Sequence, residues 1–254
     1  MSIPRIIHYC DFGYGSDKET LNRMLNSVKK HCPDYEVILW NEENFDININ
    51  RFTKEAANNK KWAFVSDVCR LYALKTMGGI YLDTDVEIIR PLDSLLEYEA
   101  VFGFESKDRI CTAIIGSKKD NSFISELLSY YDDIDFNMTP NVEMVTRKLV
   151  DYGLKLNNTK QLVNGITILP QDYLSPKNYE TSLVNVTDKT LAIHYYVSSW
   201  KTPEENMRDT LFFKYLGFMP RKLAWKLANY RAVMKHRGII QGHKDMMKVL
   251  RKKA

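Results

Sequence analysis

The stretch Gly78-Gly79-Ile80-Tyr81-Leu82-Asp83-Thr84-Asp85-Val86-Glu87-Ile88-Ile89 sets two carboxylates into an otherwise apolar run directly after a glycine pair. Its apolar positions read as a strand of a covered sheet, and the glycines end the preceding helix and turn the chain. Asp83 and Asp85 stand two apart, so a regular strand sends both side chains from one face. Carboxylates held together at the end of a buried strand repel unless a cation, a base or shared protons offset the lost water. A hard divalent ion is the simplest offset, and Mg²⁺ or Mn²⁺ sites that hold substrate phosphates use only one or two protein carboxylates. The plainer reading is a pair of aspartates capping a turn through local hydrogen bonds.

Working outward, residues 62–77 read as a helix running straight into the glycine pair. Asp67 and Arg70 stand at i and i+3 on it, and Ser66 is an i, i+4 neighbour of Arg70. On an exposed face this is an ion pair worth a few tenths of a kcal/mol. Beside the acidic strand, the same groups project towards the carboxylates. Upstream, residues 3–10 read as a first strand and 18–31 as an amphipathic helix capped by Asp17. Residues 35–40 read as a second strand, followed by the polar loop Asn41-Glu42-Glu43-Asn44. The β-α-β order implies parallel strands, whose carboxyl ends are where ligands of open α/β sheets bind. Further strands are expected at 100–104, 110–115, 165–170 and 191–200, and helices at 122–131 and 141–152. Residues 1–200 therefore read as one α/β domain. His194 lies near the end of the last strand, where it is either a hydrogen-bonded structural residue or the further ligand that a carboxylate pair lacks.

The cysteines Cys10, Cys32, Cys69 and Cys111 are widely spaced, without the pairing of a zinc site. With no leader read at Met1 and no membrane-length apolar run, the expectation is a cytoplasmic protein. The net charge of +4 conceals an asymmetry. Residues 201–254 hold 14 Lys/Arg against 4 Asp/Glu, and residues 1–200 hold 22 against 28. Within that basic region Leu223, Leu227, Tyr230 and Met234 fall on one helical stripe among Arg221, Lys222, Lys226, Arg231 and Lys235. This is the pattern of a helix lying on anionic lipid, or of one packing on the domain by that stripe. No recognised nucleic-acid-binding fold accompanies the charge, so no nucleic-acid partner is expected.

Taken together, Ile3 to Tyr9, Leu39-Trp40-Asn41-Glu42-Glu43-Asn44, Ser66-Asp67-x-x-Arg70, Gly78-Gly79-x-Tyr81-x-Asp83-x-Asp85 and His194-x-x-x-Ser198-Ser199-Trp200 closely resemble glycosyltransferase family 32. That group of Asp-x-Asp sugar transferases includes fungal Golgi mannosyltransferases and bacterial capsule and O-antigen enzymes, and bacterial glucosylating toxins are related to it. The resemblance covers residues 1 to about 200. It implies a GT-A fold, Rossmann-like with a mostly parallel central sheet flanked by helices, followed here by a basic helical tail over 201–254. It also implies a nucleotide-sugar donor, a divalent cation and retention of anomeric configuration.

By position, the resemblance gives Asp85 direct metal contact, and gives Asp83 the donor's ribose and sugar or the metal. Asp67 and Arg70 match residues holding sugar hydroxyls and the phosphate side of the donor, with Ser66 and Tyr81 near the nucleotide and Asn44 near the sugar. His194 and Ser198 match the region completing the metal shell, and Trp200 the contact to the leaving diphosphate. Asp11 stands where such enzymes often carry Trp after the first strand, so Tyr9, Phe12 or Tyr14 must supply any stacking on the base.

The expectation is a retaining transferase using Mn²⁺ or Mg²⁺ to move a hexose, from UDP by default, to a glycan or lipid-linked acceptor in surface polysaccharide synthesis. It would sit at the inner face of the cell membrane through its tail. The alternatives are an inactive lipid- or polyanion-binding protein, against which the intact Asp67, Arg70, Asp83 and Asp85 argue, and a metal phosphohydrolase. In the latter the Asp-x-Asp motif usually follows the first strand, with Thr or Val where this chain has Glu87.

Overall fold

The computed structural model describes residues 2–13, 18–179, 181–197, 203–241 and 243–244. Two compact units divide the chain, Met1–Val197 and Ser198–Ala254. The first runs β1 (Ile6–Cys10), α1 (Lys18–His31), β2 (Glu36–Trp40), α2 (Arg51–Asn58), α3 (Trp62–Met77), β3 (Gly79–Leu82), β4 (Val86–Ile88), β5 (Ala100–Ser106) and β6 (Arg109–Ser117). It continues with α4 (Ser122–Ser129), α5 (Asn141–Asp151), β7 (Gln161–Val163), β8 (Ile166–Leu169), α6 (Gln171–Leu174) and β9 (Ala192–His194).

A seven-stranded sheet has the order β2-β1-β3-β6-β5-β8-β7. Strands β2, β1, β3, β5 and β8 run one way and β6 and β7 the other, a mostly parallel sheet flanked by helices, as expected from the sequence. Val65 and Val68 of α3, Ile124 and Leu127 of α4 and Val145 and Leu149 of α5 belong to one core cluster. The other cluster holds Val28 of α1, Leu174 of α6, and Val86, Ile88 and Ala192 from a second, two-stranded sheet of β4 and β9.

Helix α3 spans the residues its sequence predicts and stops at Gly78, whose N–H still donates to Leu74 O over 2.9 Å. The glycine pair is required by geometry. Gly79 has φ +111°, and a β-carbon there would stand 2.6 Å from Ile6 O and 3.0 Å from His8 Nε2. His8 ties the turn to the sheet. Its Nδ1 accepts from Trp40 Nε1–H at 3.1 Å, so the proton sits on Nε2, which donates to Gly78 O at 2.7 Å. Burial lowers the His8 pKa and favours this neutral tautomer. Gly79→Ala is expected to cost about 2–4 kcal/mol through positive-φ strain and overpacking, read from urea denaturation. A change under about 0.5 kcal/mol would show that the turn yields.

The expected single strand over 80–89 is broken. β3 ends at Leu82, and Asp83-Thr84-Asp85 form a turn closed by Val86 N–H to Asp83 O at 3.0 Å. β4 then leaves the main sheet to pair with β9. Asp and Thr favour turns through local side-chain bonds and Asp is a poor strand former, so three such residues together end the pairing. The same-face argument for the two aspartates fails with it, and the turn takes its place. The last expected strand is also shorter: β9 covers Ala192–His194, and 198–200 lie outside the described residues. Helix α2 and strand β7 were not read from the sequence.

The second unit contains α7 (Pro203–Leu216) and α8 (Arg221–Arg237). They pack through Phe212, Tyr215, Ala224 and Ala228. The buried face of α8 is an alanine stripe, Ala224, Ala228 and Ala232 with Val233; of the larger stripe read from the sequence, Leu227 packs partly against the α7–α8 cluster and Leu223 is 53% exposed. Alanine lets two helices approach closely enough for the aromatic residues of α7 to fill the gap.

Candidate functional site

The site begins where β3 ends. Asp83 N–H donates to Ala113 O of β6 at 2.8 Å, which fixes the first residue of the acidic turn against the sheet. Two residues on, Asp85 is held by a segment more than a hundred positions away. Val86 pairs with His194 in the β4–β9 register, Tyr195 N–H donates to Asp85 O at 3.0 Å, and Val197 N–H donates to Asp85 Oδ2 at 2.7 Å. This pairing sets His194 Nε2 3.4 Å from Asp85 Oδ1. One donor atom from each of Asp83, Asp85 and His194 lies within 4.8 Å of the others.

The second half comes from α3. Arg70, with its side chain only 6% exposed, bridges Asp67 Oδ1 at 2.8 Å and Asp83 Oδ1 at 3.4 Å. Its other nitrogens donate to Thr112 O at 2.8 Å and Ser66 O at 3.2 Å, and the guanidinium lies 4.6 Å from the centre of the Tyr81 ring. Tyr81 in turn donates its hydroxyl to Asp83 Oδ1 at 2.6 Å. The Asp67–Arg70 pair is therefore part of a buried network and not a surface ion pair, and each aspartate spends the same oxygen on it. The Oδ2 atoms of Asp67 and Asp83 take no hydrogen bond among the described residues. Asp83 is the more open of the turn's two carboxylates, 28% exposed against 13% for Asp85.

The electrostatics follow from burial. Loss of water pushes Asp67 up to about 6, with Asp83 adding to the rise and Arg70 opposing it. Burial works against charge on Asp85 as well, but His194 and the Val197 N–H outweigh it and hold Asp85 below the usual carboxylate range. His194 is desolvated too, yet Asp85 and then Cys111 hold its pKa well above the ordinary histidine value. Its buried Nδ1 has no hydrogen-bond partner by geometry among the described residues.

Asp67, Arg70, Tyr81, Asp83, Asp85 and His194 thus converge. Other expected contacts do not. Tyr9 is fully buried in the core cluster with Leu82 and Val86, so its ring is a packing residue unavailable to a nucleotide base. Phe12 is likewise core, edge-on to Phe45 at 5.7 Å between centroids. Asn44 closes the loop after β2, accepting from Asn41 N–H at 2.9 Å and donating to Leu39 O at 2.9 Å. Ser66 turns its hydroxyl back to Trp62 O at 3.2 Å. Tyr14, Ser198 and Trp200 lie outside the described residues.

Sequence reasoning missed Asn141. It opens α5, donates to Asp67 Oδ1 at 2.8 Å and accepts from Thr112 Oγ1 at 2.8 Å, locking the buried aspartate from a third element. The only local signal is a polar residue after Pro140, which equally suits a helix start.

Residues 18–102 match the family described as glycosyltransferase sugar-binding region containing DXD motif. Glucan organizing enzyme 1 of Cryptococcus neoformans var. grubii is 37% identical over 86 residues, covering 30% of this chain and 24% of that protein. Inositol phosphoceramide mannosyltransferase 3 of Schizosaccharomyces pombe is 28% identical over 144 residues, covering 54% of this chain and 39% of that protein. The chain therefore spans well under half the length of either of these curated relatives. A solved glycosyltransferase involved in the glycosylation of the major capsid of PBCV-1 overlays with a TM-score of 0.46 at 14% identity, over 77% of this chain and 96% of that one.

Proposed function

We propose, for a chain whose residues 18–102 match the glycosyltransferase sugar-binding region containing a DXD motif, that it is a retaining, divalent-metal-dependent glycosyltransferase. It moves a hexose from a nucleotide-sugar, UDP-linked by default, to a glycan or lipid-linked acceptor. The observation carrying this is the convergence of Asp83, Asp85 and His194 beside the buried Arg70 bridge.

The donor set suits the ion. An octahedral Mn²⁺ or Mg²⁺ with bonds of about 2.1 Å has neighbouring ligands about 3 Å apart, so donor atoms within 4.8 Å of one another close on it with a small inward movement. Two carboxylates and an imidazole favour Mn²⁺ over Mg²⁺. When bound, the cation supplies Lewis-acid stabilisation of the negative charge that develops on the leaving diphosphate.

The chain's own residues supply orientation. The Oδ2 atoms of Asp67 and Asp83 accept from hydroxyls of the donor, while Arg70 and Tyr81 fix both carboxylates before the donor arrives. Arg70 also brings a positive charge to the side where the diphosphate departs. The acceptor hydroxyl attacks the anomeric carbon on the face that the diphosphate leaves, its proton passing to the departing phosphate oxygen.

Location at the inner face of a cell membrane belongs to the same proposal. Its support is the basic character of residues 201–254 and the exposure of Leu223 and Trp225 on α8 beside Arg221, Lys222 and Lys226. Anionic liposomes should sediment the wild type and lose the Lys222→Glu/Lys226→Glu variant; equal sedimentation of the two discards the membrane role.

The function is tested with a panel of UDP- and GDP-hexoses and Mn²⁺, mannose and glucose among them. Slow release of nucleoside diphosphate supports the transferase. Release of inorganic phosphate marks a phosphohydrolase instead, and no turnover or thermal shift with any donor marks a binding protein.

A further inference from the structure

Beside the triad lies a carboxylate that neither the motif pattern nor the proposed donor contacts use. Glu105 sits near the end of β5, inside an irregularity of the β5–β6 ladder where Phe104 pairs with Ile110 and Ser106 with Arg109. Bulges of this kind re-aim side chains and recur next to active sites. Phe102 and Phe104 point into the core cluster shared with α3 and α4, and Val101 into the cluster shared with β4 and β9. This alternation holds up to Phe104, and at the irregularity beyond it Glu105 is placed by its charge neighbours. His194, Arg109, Asp83 and Asp108 all act on Glu105, and Glu105 acts on Tyr196, which puts it on the side that carries His194.

Glu105 is half-buried, yet it makes no hydrogen bond or ion pair among the described residues, and burial pushes its pKa up. A carboxylate withdrawn from water without a donor is costly unless a ligand supplies one. Among the described residues, the donor atoms within 4.8 Å of one another are those of Asp83, Asp85 and His194, and Glu105 is outside that group.

The same side carries an aromatic surface. The Tyr196 ring lies 4.0 Å from the His194 ring between centroids, and Tyr179 stands edge-on to Tyr196 at 5.3 Å. Tyr196 holds φ +57°, a conformation rarely adopted by a bulky residue, and Tyr179 remains 38% exposed. Glu105 acts on Tyr196, and the exposed Tyr179 stands edge-on to that ring. A carboxylate and an exposed aromatic ring joined in this way match a pyranose, whose C–H face covers an aromatic ring while its edge presents hydroxyls.

Resting on the transferase reading above, we infer that Glu105 and the Tyr179–Tyr196 pair form the acceptor subsite and that the acceptor is a hexopyranose. Glu105 accepts a hydrogen bond from a hydroxyl of that sugar other than the one that reacts, and Tyr179 lies under its apolar face. Glu105 is in this role a binding residue that neither gains nor loses a proton.

The test uses the full chain with Mn²⁺, the best sugar nucleotide from the panel, and a set of methyl hexopyranosides as acceptors. Glu105→Gln and, separately, Tyr179→Ala should each raise the acceptor KM about tenfold, with the donor KM and the Mn²⁺ requirement within twofold of wild type. Glu105→Gln is nearly isosteric, and an unchanged melting temperature verifies its fold. A raised donor KM or an altered Mn²⁺ requirement in Glu105→Gln would move Glu105 to the donor or metal and overturn the inference, as would an unchanged acceptor KM. In each of those cases the wild type still turns over, so only the acceptor assignment falls. A wild type that releases no nucleoside diphosphate from any donor removes both readings.

Discussion

Asp85→Asn is expected to lower nucleoside diphosphate release by about 10³-fold at saturating Mn²⁺, with little change in folding stability. The asparagine keeps an oxygen for the Val197 N–H, which donates to Asp85 Oδ2 at 2.7 Å, so the turn after β3 is retained. What is lost is the charge. Asp85 is the strongest influence keeping His194 above the ordinary histidine range, against the burial of that imidazole. Without it the triad keeps one carboxylate and an imidazole, which weakens its hold on a divalent ion and leaves that ion less firmly placed against the diphosphate. Diphosphate release is measured across an Mn²⁺ titration, alongside urea denaturation. Wild-type turnover by the variant would remove Asp85 from metal binding, and with it the central support for the transferase reading.

Arg70→Met is expected to cost about 3–5 kcal/mol of stability as well as turnover, because it strips the cation from two carboxylates. Asp67 is 11% exposed and Asp83 28% at their side chains, so Asp67 suffers most. The carbonyls of Thr112 and Ser66 also lose their donors. Buried ion pairs replaced as a unit by apolar residues are often tolerated, so Asp67→Leu added to Arg70→Met should recover part of the stability and none of the activity. Recovery stays partial because Asn141 Nδ2 then loses its acceptor.

The effect of pH has a defined sign. Asp67 binds its proton more tightly in the folded chain, at about 6, than at its ordinary 3.8. Its contribution to stability is therefore complete below the ordinary value and is lost as pH rises through the folded one. Removing Arg70 raises the folded value further, so Arg70→Met should be less destabilised at pH 5 than at pH 8. Equal destabilisation at both, measured in urea, would mean that Asp67 is not the group left exposed to the loss.

The sequence by itself determined several features that depend on neighbours along the chain, though not the turn at Asp83-Thr84-Asp85 or helix α2. Helix α3 reads off its composition, Asp67 and Arg70 share a face at i and i+3, and the glycine pair announces a turn that only a residue without a β-carbon can make. The order of motifs carries the resemblance to Asp-x-Asp sugar transferases, whose sugar-binding region residues 18–102 match. The tertiary structure decided the rest, because long-range pairing sets which distant groups meet. A strand expected to run through both aspartates breaks at Asp83, where Asp83-Thr84-Asp85 turn the chain, and beyond the turn the β4–β9 register carries His194 to Asp85. Asn141 and Glu105 reach the site from α5 and β5 with no periodic signal of their own. Tyr9, an aromatic residue of the first strand, is withdrawn into the core, where its ring packs with Leu82 and Val86. Periodicity reports which face of an element is apolar; only packing decides which element that face meets.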